Sequence, residues 1–303
     1  MKRILVIFIA LAAVTVMLQA QGRGRGRGGQ PVDNPGRGDG RETNNPAGTL
    51  NHGGVRYINP GSPTIPDAEI NSHPIPRMPD GHVDLTGPWV GGGSNGDIER
   101  DGGLKPGELP LQQWAKDLRD KRLEKDEPYT ACLPMSVPRV NPYPWKFAYE
   151  YESTGLSHIY VLHETGDAGA HRVVYMDGRP HAKNWVPNWW GHSIGHWEGD
   201  TLVIDTSGYN DKFWFDSRGT PHTEQLHTIE RWTRTSWGRI EDDFTLEDPG
   251  ALTRPVKLHF VGRLLRPDKA TGVGDLMEFI CLEDNEYGSA AKFQPGTGTS
   301  NNK

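Results

Sequence analysis

From Trp145 to Leu265 the chain is a succession of short runs in which apolar and polar residues alternate, with turn residues at close intervals. A period of two sends successive side chains to opposite faces, so each run reads as a β-strand with one buried face. The clearest case is 192–206, HSIGHWEGDTLVIDT. It is strand, turn, strand, with Gly199 free to take positive φ between Glu198 and Asp200. In its first strand His192, Ile194 and His196 share a face. In its second, Leu202, Ile204 and Thr206 lie opposite Thr201, Val203 and Asp205. Further strands are expected at 83–90, 145–151, 157–164, 171–176, 226–235, 240–246, 256–265 and 276–282. A single sheet of so many strands has to twist and close or split. The expected fold is therefore mostly β: an antiparallel barrel, closed or nearly so, or a closely packed sandwich. Runs such as 239–244, RIEDDF, would put charge into lipid and argue against a membrane-spanning barrel.

The rest of the chain is of other kinds. Lys2-Arg3, the apolar run that follows and Gln19-Ala20 have the pattern of a secretory signal over 1–20. The apolar run is short for a membrane span, so the protein is expected to be periplasmic or secreted with no span once the signal is removed. Residues 21–50 are rich in Gly and Arg, cannot bury a core, and read as a disordered linker. The leader and the linker each carry +2 in a chain of net charge −6, so the remainder carries −10. An acidic body does not bind a phosphate backbone, and no nucleic-acid partner is expected. Residues 51–81 are proline-rich and extended, 82–285 form the barrel domain, and 286–303 are a disordered tail. One amphipathic surface helix is expected at 109–123, with Leu111, Trp114, Ala115 and Leu118 on its apolar face. Residues 126–144 hold five prolines and read as loop. Cys132 and Cys281 form a disulfide in an exported protein, or remain two buried thiols.

Candidate chemistry concentrates between Tyr175 and Trp232. Seven of the ten tryptophans lie between Trp185 and Trp237, and five of the twelve histidines between His181 and His227. Large rings are buried where possible, and polar groups among them need partners. Such a mixture suits an aromatic, polar-lined ligand cavity, or a well-satisfied core. Asp177, Arg179 and His181 share a turn. His222 and Glu224 are read on one strand face. Glu230 and Arg231 point to opposite faces of a strand, so one of them faces inward and needs a partner; Glu278 raises the same question in the last strand. Arg139 is either an anion clamp or a surface arginine. His181 or His222 would carry a proton, Glu224 or Glu230 would orient it, and Arg179 or Arg231 would hold an anionic or carbonyl group. His222 and Glu224 with His181, His192 or His196 could also be metal ligands, but no pair has a diagnostic spacing. His192 and His196 would stand about 13 Å apart on a strand. No metal and no cofactor are assigned, and no nucleophile or nucleotide motif is present.

DLTGPW at 84–89, CLPMSVPR, MDGRPH, the 191–209 segment, GTPHTEQLHTIERW and MEFICLED together resemble a family of exported bacterial proteins of uncharacterised function. The resemblance covers about residues 82–285 and implies a lipocalin-like barrel. Its style is similar, more faintly, to the lipocalin-like hydratases of carotenoid metabolism, an analogy of fold that fixes no function. It implies Arg139, Asp177, Arg179, His181, His222, Glu224, Glu230 and Arg231 as pocket positions, to which the reading of the aromatics adds Trp190 and Trp197. Where similar sequences often read Gly-Asp-Ser, this chain has His192 in the Asp position, so no acid is expected there. The function expected is binding of a small organic molecule, with His/Glu acid–base chemistry of lyase, hydratase, isomerase or hydrolase type. Carbohydrate recognition or hydrolysis on a tryptophan surface is the alternative, and an envelope protein without ligand the third reading.

Overall fold

Period-two alternation becomes nine strands in the computed structural model, which describes residues 64–165, 171–266, 274–277, 279 and 281. They are β1 (Trp89–Gly91), β2 (Trp145–Glu152), β3 (Gly155–His163), β4 (His171–Tyr175), β5 (His192–Glu198), β6 (Thr201–Ser207), β7 (His227–Ser236), β8 (Arg239–Glu247) and β9 (Val256–Leu264). They pair in sequence order, and β9 returns to β1, giving a closed barrel rather than a sandwich. Closure gives every strand a neighbour on both sides, although the β4–β5 and β1–β2 pairings are short. The hairpin at 192–206 forms as expected, with Gly199 at φ 62° in its turn.

Every neighbouring pair is antiparallel except one. β4 and β5 run parallel, through Val174↔Ser193 and Tyr175↔Ile194 only. The all-antiparallel expectation is corrected here. Antiparallel neighbours can be joined by a tight turn, but a parallel pair needs a long crossover. Residues 176–191 are that crossover.

Burial follows the alternation. Trp145, Phe147, Ile159, Val161, Val174, Leu202, Ile204, Trp232 and Ile240 form one inner cluster. A second joins Phe244, Leu246, Leu258 and Phe260 to Val137, Val140 and Tyr143 of the proline-rich loop. That loop is therefore buried against the barrel although it forms no strand.

Two helices are present among the described residues, α1 (Ile98–Asp101) and α2 (Gln113–Lys121). α2 is the amphipathic helix, shorter than expected. Leu111 bridges to Leu252 instead of entering it, and Trp114 is 41% exposed with its indole N–H donated to Gly250 O. Leu276, Met277 and Phe279 are not in a strand, because β9 already pairs with β1. Cys281 is instead joined to Cys132, with Cα atoms 5.8 Å apart. Among the described residues no helix is long and apolar enough to cross a membrane. The expected leader, the Gly/Arg-rich linker, residues 51–63, Glu278 and the tail lie outside the described residues.

Candidate functional site: a cleft at the parallel seam

β4 and β5 share only two residue pairs, so His171, Arg172 and Val173 have no partner on β5. A cleft of about 240 Å3 opens there, walled by Tyr175, Trp185, Trp189, Trp190 and His192, with Arg172 among its lining. The crossover thus supplies the tryptophans and the strands supply the polar groups.

Arg172 is the inward residue of β4 and is fully buried. It forms a two-pronged ion pair with Glu230 of β7, through Nη1 to Oε1 and through Nη2 to Oε2 at 2.9 Å. The Trp232 indole donates to Glu230 Oε2 at 3.0 Å. Burial opposes the Arg172 charge, but the Glu230 carboxylate outweighs it and holds the guanidinium charged. Asp242 of β8 is buried beside this pair. Burial, and then the Glu230 charge, push its carboxyl well above the usual carboxylate range. Its Oδ1 accepts from the Arg231 backbone N–H at 2.8 Å.

His163, the last residue of β3, is also buried. Its ring lies parallel to the Trp190 indole, 8° between planes and 5.3 Å between centroids. Neither ring nitrogen has a hydrogen-bond partner. Burial, then Arg172 and His171, depress its pKa to about 3, and the ring is neutral.

A second set of groups forms the rim. His181 of the crossover reaches the outward face of the barrel, where its Nε2 lies 2.9 Å from Asp205 Oδ1 and its Nδ1 lies 2.9 Å from His192 Nδ1. His227 Nε2 reaches the same Asp205 oxygen at 2.7 Å, and its Nδ1 meets Glu247 at 3.2 Å. Burial raises the Asp205 pKa, but the hydrogen bonds from His227 and His181 prevail and hold it below the usual carboxylate range. The Asp205 contact in turn raises His227. Burial, then His181 and Arg179, lower His192, which is neutral at pH 7.

The His181 nitrogen that faces the Asp205 carboxylate donates to it. Where His181 carries that proton alone, its Nδ1 accepts, and His192 donates from Nδ1 and keeps a lone pair at Nε2. A chain of the form carboxylate, imidazole, imidazole thus ends in the wall of the cleft, in the arrangement that makes the last group a general base.

Of the residues expected from sequence, Trp190 lines this cleft, while Arg179 and His181 touch its lining residues Tyr175 and His192 from outside. Asp177 and Arg179 form an exposed ion pair, and the Arg179 guanidinium sits 4.1 Å from the centre of the Tyr175 ring. Glu230 lies beneath, through Arg172. The others stand apart. Arg139 is fully buried against Glu127, 2.9 Å away, and is no surface residue. His222 is buried between Phe213 and Phe215, with centroids 4.0 and 4.9 Å away, and its pKa is lowered to about 4 by burial. His222 and Glu224 share no strand, because β7 starts only at His227; Glu224 is exposed in a turn. Arg231 is the outward partner of Glu198 at 2.6 Å. Trp197 stacks on His82, 4.7 Å away, and packs with the first inner cluster. Trp214 is buried under Arg122 and offers no surface to a sugar, unlike the half-buried Trp185, Trp189 and Trp190.

Sequence reasoning missed Arg172, His163 and His227 as site members, and named His192 only as an alternative metal ligand. Arg172 was within reach: it shares the inward face of its strand with Val174, the argument already made for Glu230. No group of three or more His, Cys, Asp or Glu side chains among the described residues is arranged to hold a metal ion. No family model matches the chain, and neither a curated protein nor a solved structure matches it.

Proposed function

We propose that this protein binds a small organic molecule in the cleft between β4 and β5 and moves a proton on it, with His192 as the base. The observation that carries this reading is the Asp205–His181–His192 chain ending in the wall of a cleft lined by Trp185, Trp189 and Trp190. In the step proposed, a C–H or O–H proton of the ligand passes to His192 Nε2. The Nδ1 proton of His192 passes to His181 Nδ1. The resulting His181 imidazolium is stabilised by Asp205. The reaction class is an isomerisation, a hydration or its reverse. At about 240 Å3 the cleft is smaller than a drug-sized site, and suits a single ring better than a long chain.

An exported setting belongs to the same proposal, as does kinship with the exported barrel proteins whose motifs the chain resembles. The Cys132–Cys281 disulfide and the apolar run after Lys2-Arg3 support it. Fractionation of cells expressing the full chain tests it, with a cytosolic, reduced product as the contrary outcome.

Indole N–H resonances assigned by single Trp→Phe variants test the cleft. Single-ring ligands are expected to shift the Trp185, Trp189 and Trp190 signals saturably and leave Trp114 still. A panel that moves none of the three would remove the binding reading.

A further inference from the structure

His227 stands with a carboxylate at each of its ring nitrogens. Nε2 lies 2.7 Å from Asp205 Oδ1 on β6, and Nδ1 lies 3.2 Å from Glu247 Oε2, its cross-strand neighbour on β8. A carboxylate only accepts, so an imidazole bonded to one at each nitrogen carries hydrogen on both and is an imidazolium. Asp205 and Glu247 are the charged groups that face it, with His181 of the crossover beyond Asp205. The Asp205 hydrogen bond, and then that of Glu247, raise the His227 pKa against the opposing effect of burial.

The same Asp205 oxygen receives His181 Nε2 at 2.9 Å. Two imidazoles therefore compete for one carboxylate oxygen. While His227 is charged, it takes up part of the Asp205 charge and repels a second cation at His181. A neutral His227 has one N–H for two carboxylates and no charge to repel with. Asp205 is then free to stabilise a His181 imidazolium more fully. The side chains of His227 and Asp205 are about a third exposed, so the effect is moderate and salt-dependent.

We propose that His227 is a positioning residue for the Asp205–His181–His192 base, and that its charge sets the strength of that base: weaker while His227 holds both protons, stronger once it has given one to water. This rests on the reading of those three residues as the base and adds the group that regulates it. His227 is not among the residues that line the cleft, and acts only through Asp205. Glu247, by holding His227 in its charged form, is the outer end of the same chain. Only protons on nitrogen move. The His227 proton passes to solvent, and a proton that later arrives at His181 through His192 meets a carboxylate no longer shared with a cation.

Nitrogen-15 histidine titrations of the full chain at low ionic strength test this. His227→Gln keeps an N–H donor for Asp205 and removes the charge. It should raise the titration midpoint of His181 by on the order of half a pH unit. Glu247→Gln leaves His227 in place with one carboxylate instead of two, and should lower the His227 midpoint by a similar amount. A His181 midpoint unmoved or lowered in His227→Gln would mean that His227 merely props Asp205 in place, and would overturn the proposal. A His227 midpoint indifferent to Glu247→Gln would overturn the part given to Glu247. The indole titrations with single-ring ligands are a separate measurement. A raised His181 midpoint in a protein that binds none of them would keep the coupling and remove the binding reading. Ligand binding with an unmoved midpoint would do the reverse.

Discussion

His181 Nδ1 lies 2.9 Å from His192 Nδ1, joining a residue of the β4–β5 crossover to the first residue of β5. Two imidazole nitrogens at that distance share one proton, and a single His181 proton held toward Asp205 leaves His192 to supply it. Asp205→Asn weakens that hold. Nitrogen-15 histidine spectra at pH 7.5 are expected to show His192 as the Nδ1–H tautomer in the parent. In the variant both tautomers should appear. A His192 spectrum untouched by the substitution would remove Asp205 from the chain of groups.

The Arg172–Glu230 pair makes a prediction about stability. Truncating one partner leaves the other buried and unmatched, which costs about 3–5 kcal/mol. Glu230→Ala should lower the unfolding free energy by that amount in urea titrations. Replacing both, as Arg172→Met with Glu230→Met, should restore most of it, because the residual penalty is the unpaired charge rather than the lost pair. A double variant as unstable as the sum of its singles would show that the two side chains are not coupled, and would overturn the pairing argument.

Two buried histidines set an acid limit. Unfolded, each protonates below about pH 6.5. Folded, His163 does so only near pH 3 and His222 near pH 4, because burial disfavours the imidazolium. Below pH 6.5 the unfolded chain therefore binds more protons, and stability falls as pH falls. The slope is about 1.4 kcal/mol per pH unit for each ring, ending near their folded values. Unfolding free energies measured from pH 7.5 down to 5 should show this decline, and His222→Phe should flatten it by about half. An unchanged slope would mean that the ring protonates in place.

The disulfide spans 149 residues. In the chain-entropy picture, closing so long a loop stabilises by about 5 kcal/mol, an upper value. Urea midpoints with and without a phosphine reductant should differ in that direction. Midpoints that coincide under both conditions would show that the Cys281 segment constrains nothing the fold depends on.

Much of the barrel was legible from sequence because burial on one face imposes a period of two, and that period survives wherever a strand has a wet side and a dry one. The 192–206 hairpin is the plain case. Its turn, its register and the face that Asp205 shares with Thr201 and Val203 all follow from local pattern and a glycine. Glu230 with Arg231 was legible in the same way, one of them inward and one outward. The end of the barrel was not. Leu276, Met277 and Phe279 belong to a run of strand-like composition but lie in no strand, and the barrel closes through β9 on β1.

The site was less legible, because its members come from separate elements whose meeting is a matter of topology. Arg139 and His222 sit in the aromatic-rich segments that drew suspicion, and the fold spends both on packing. Arg172 was passed over and His192 named only as an alternative metal ligand, yet both line the cleft, which opens where β4 and β5 pair in parallel over two residues. The sequence by itself determined that this chain makes short amphipathic strands and closes them around buried rings, since hydrophobic burial acts on local periodicity. Only the tertiary structure decided which polar groups share a cleft and which remain unpaired, since that depends on where the chain crosses over, which no local pattern records.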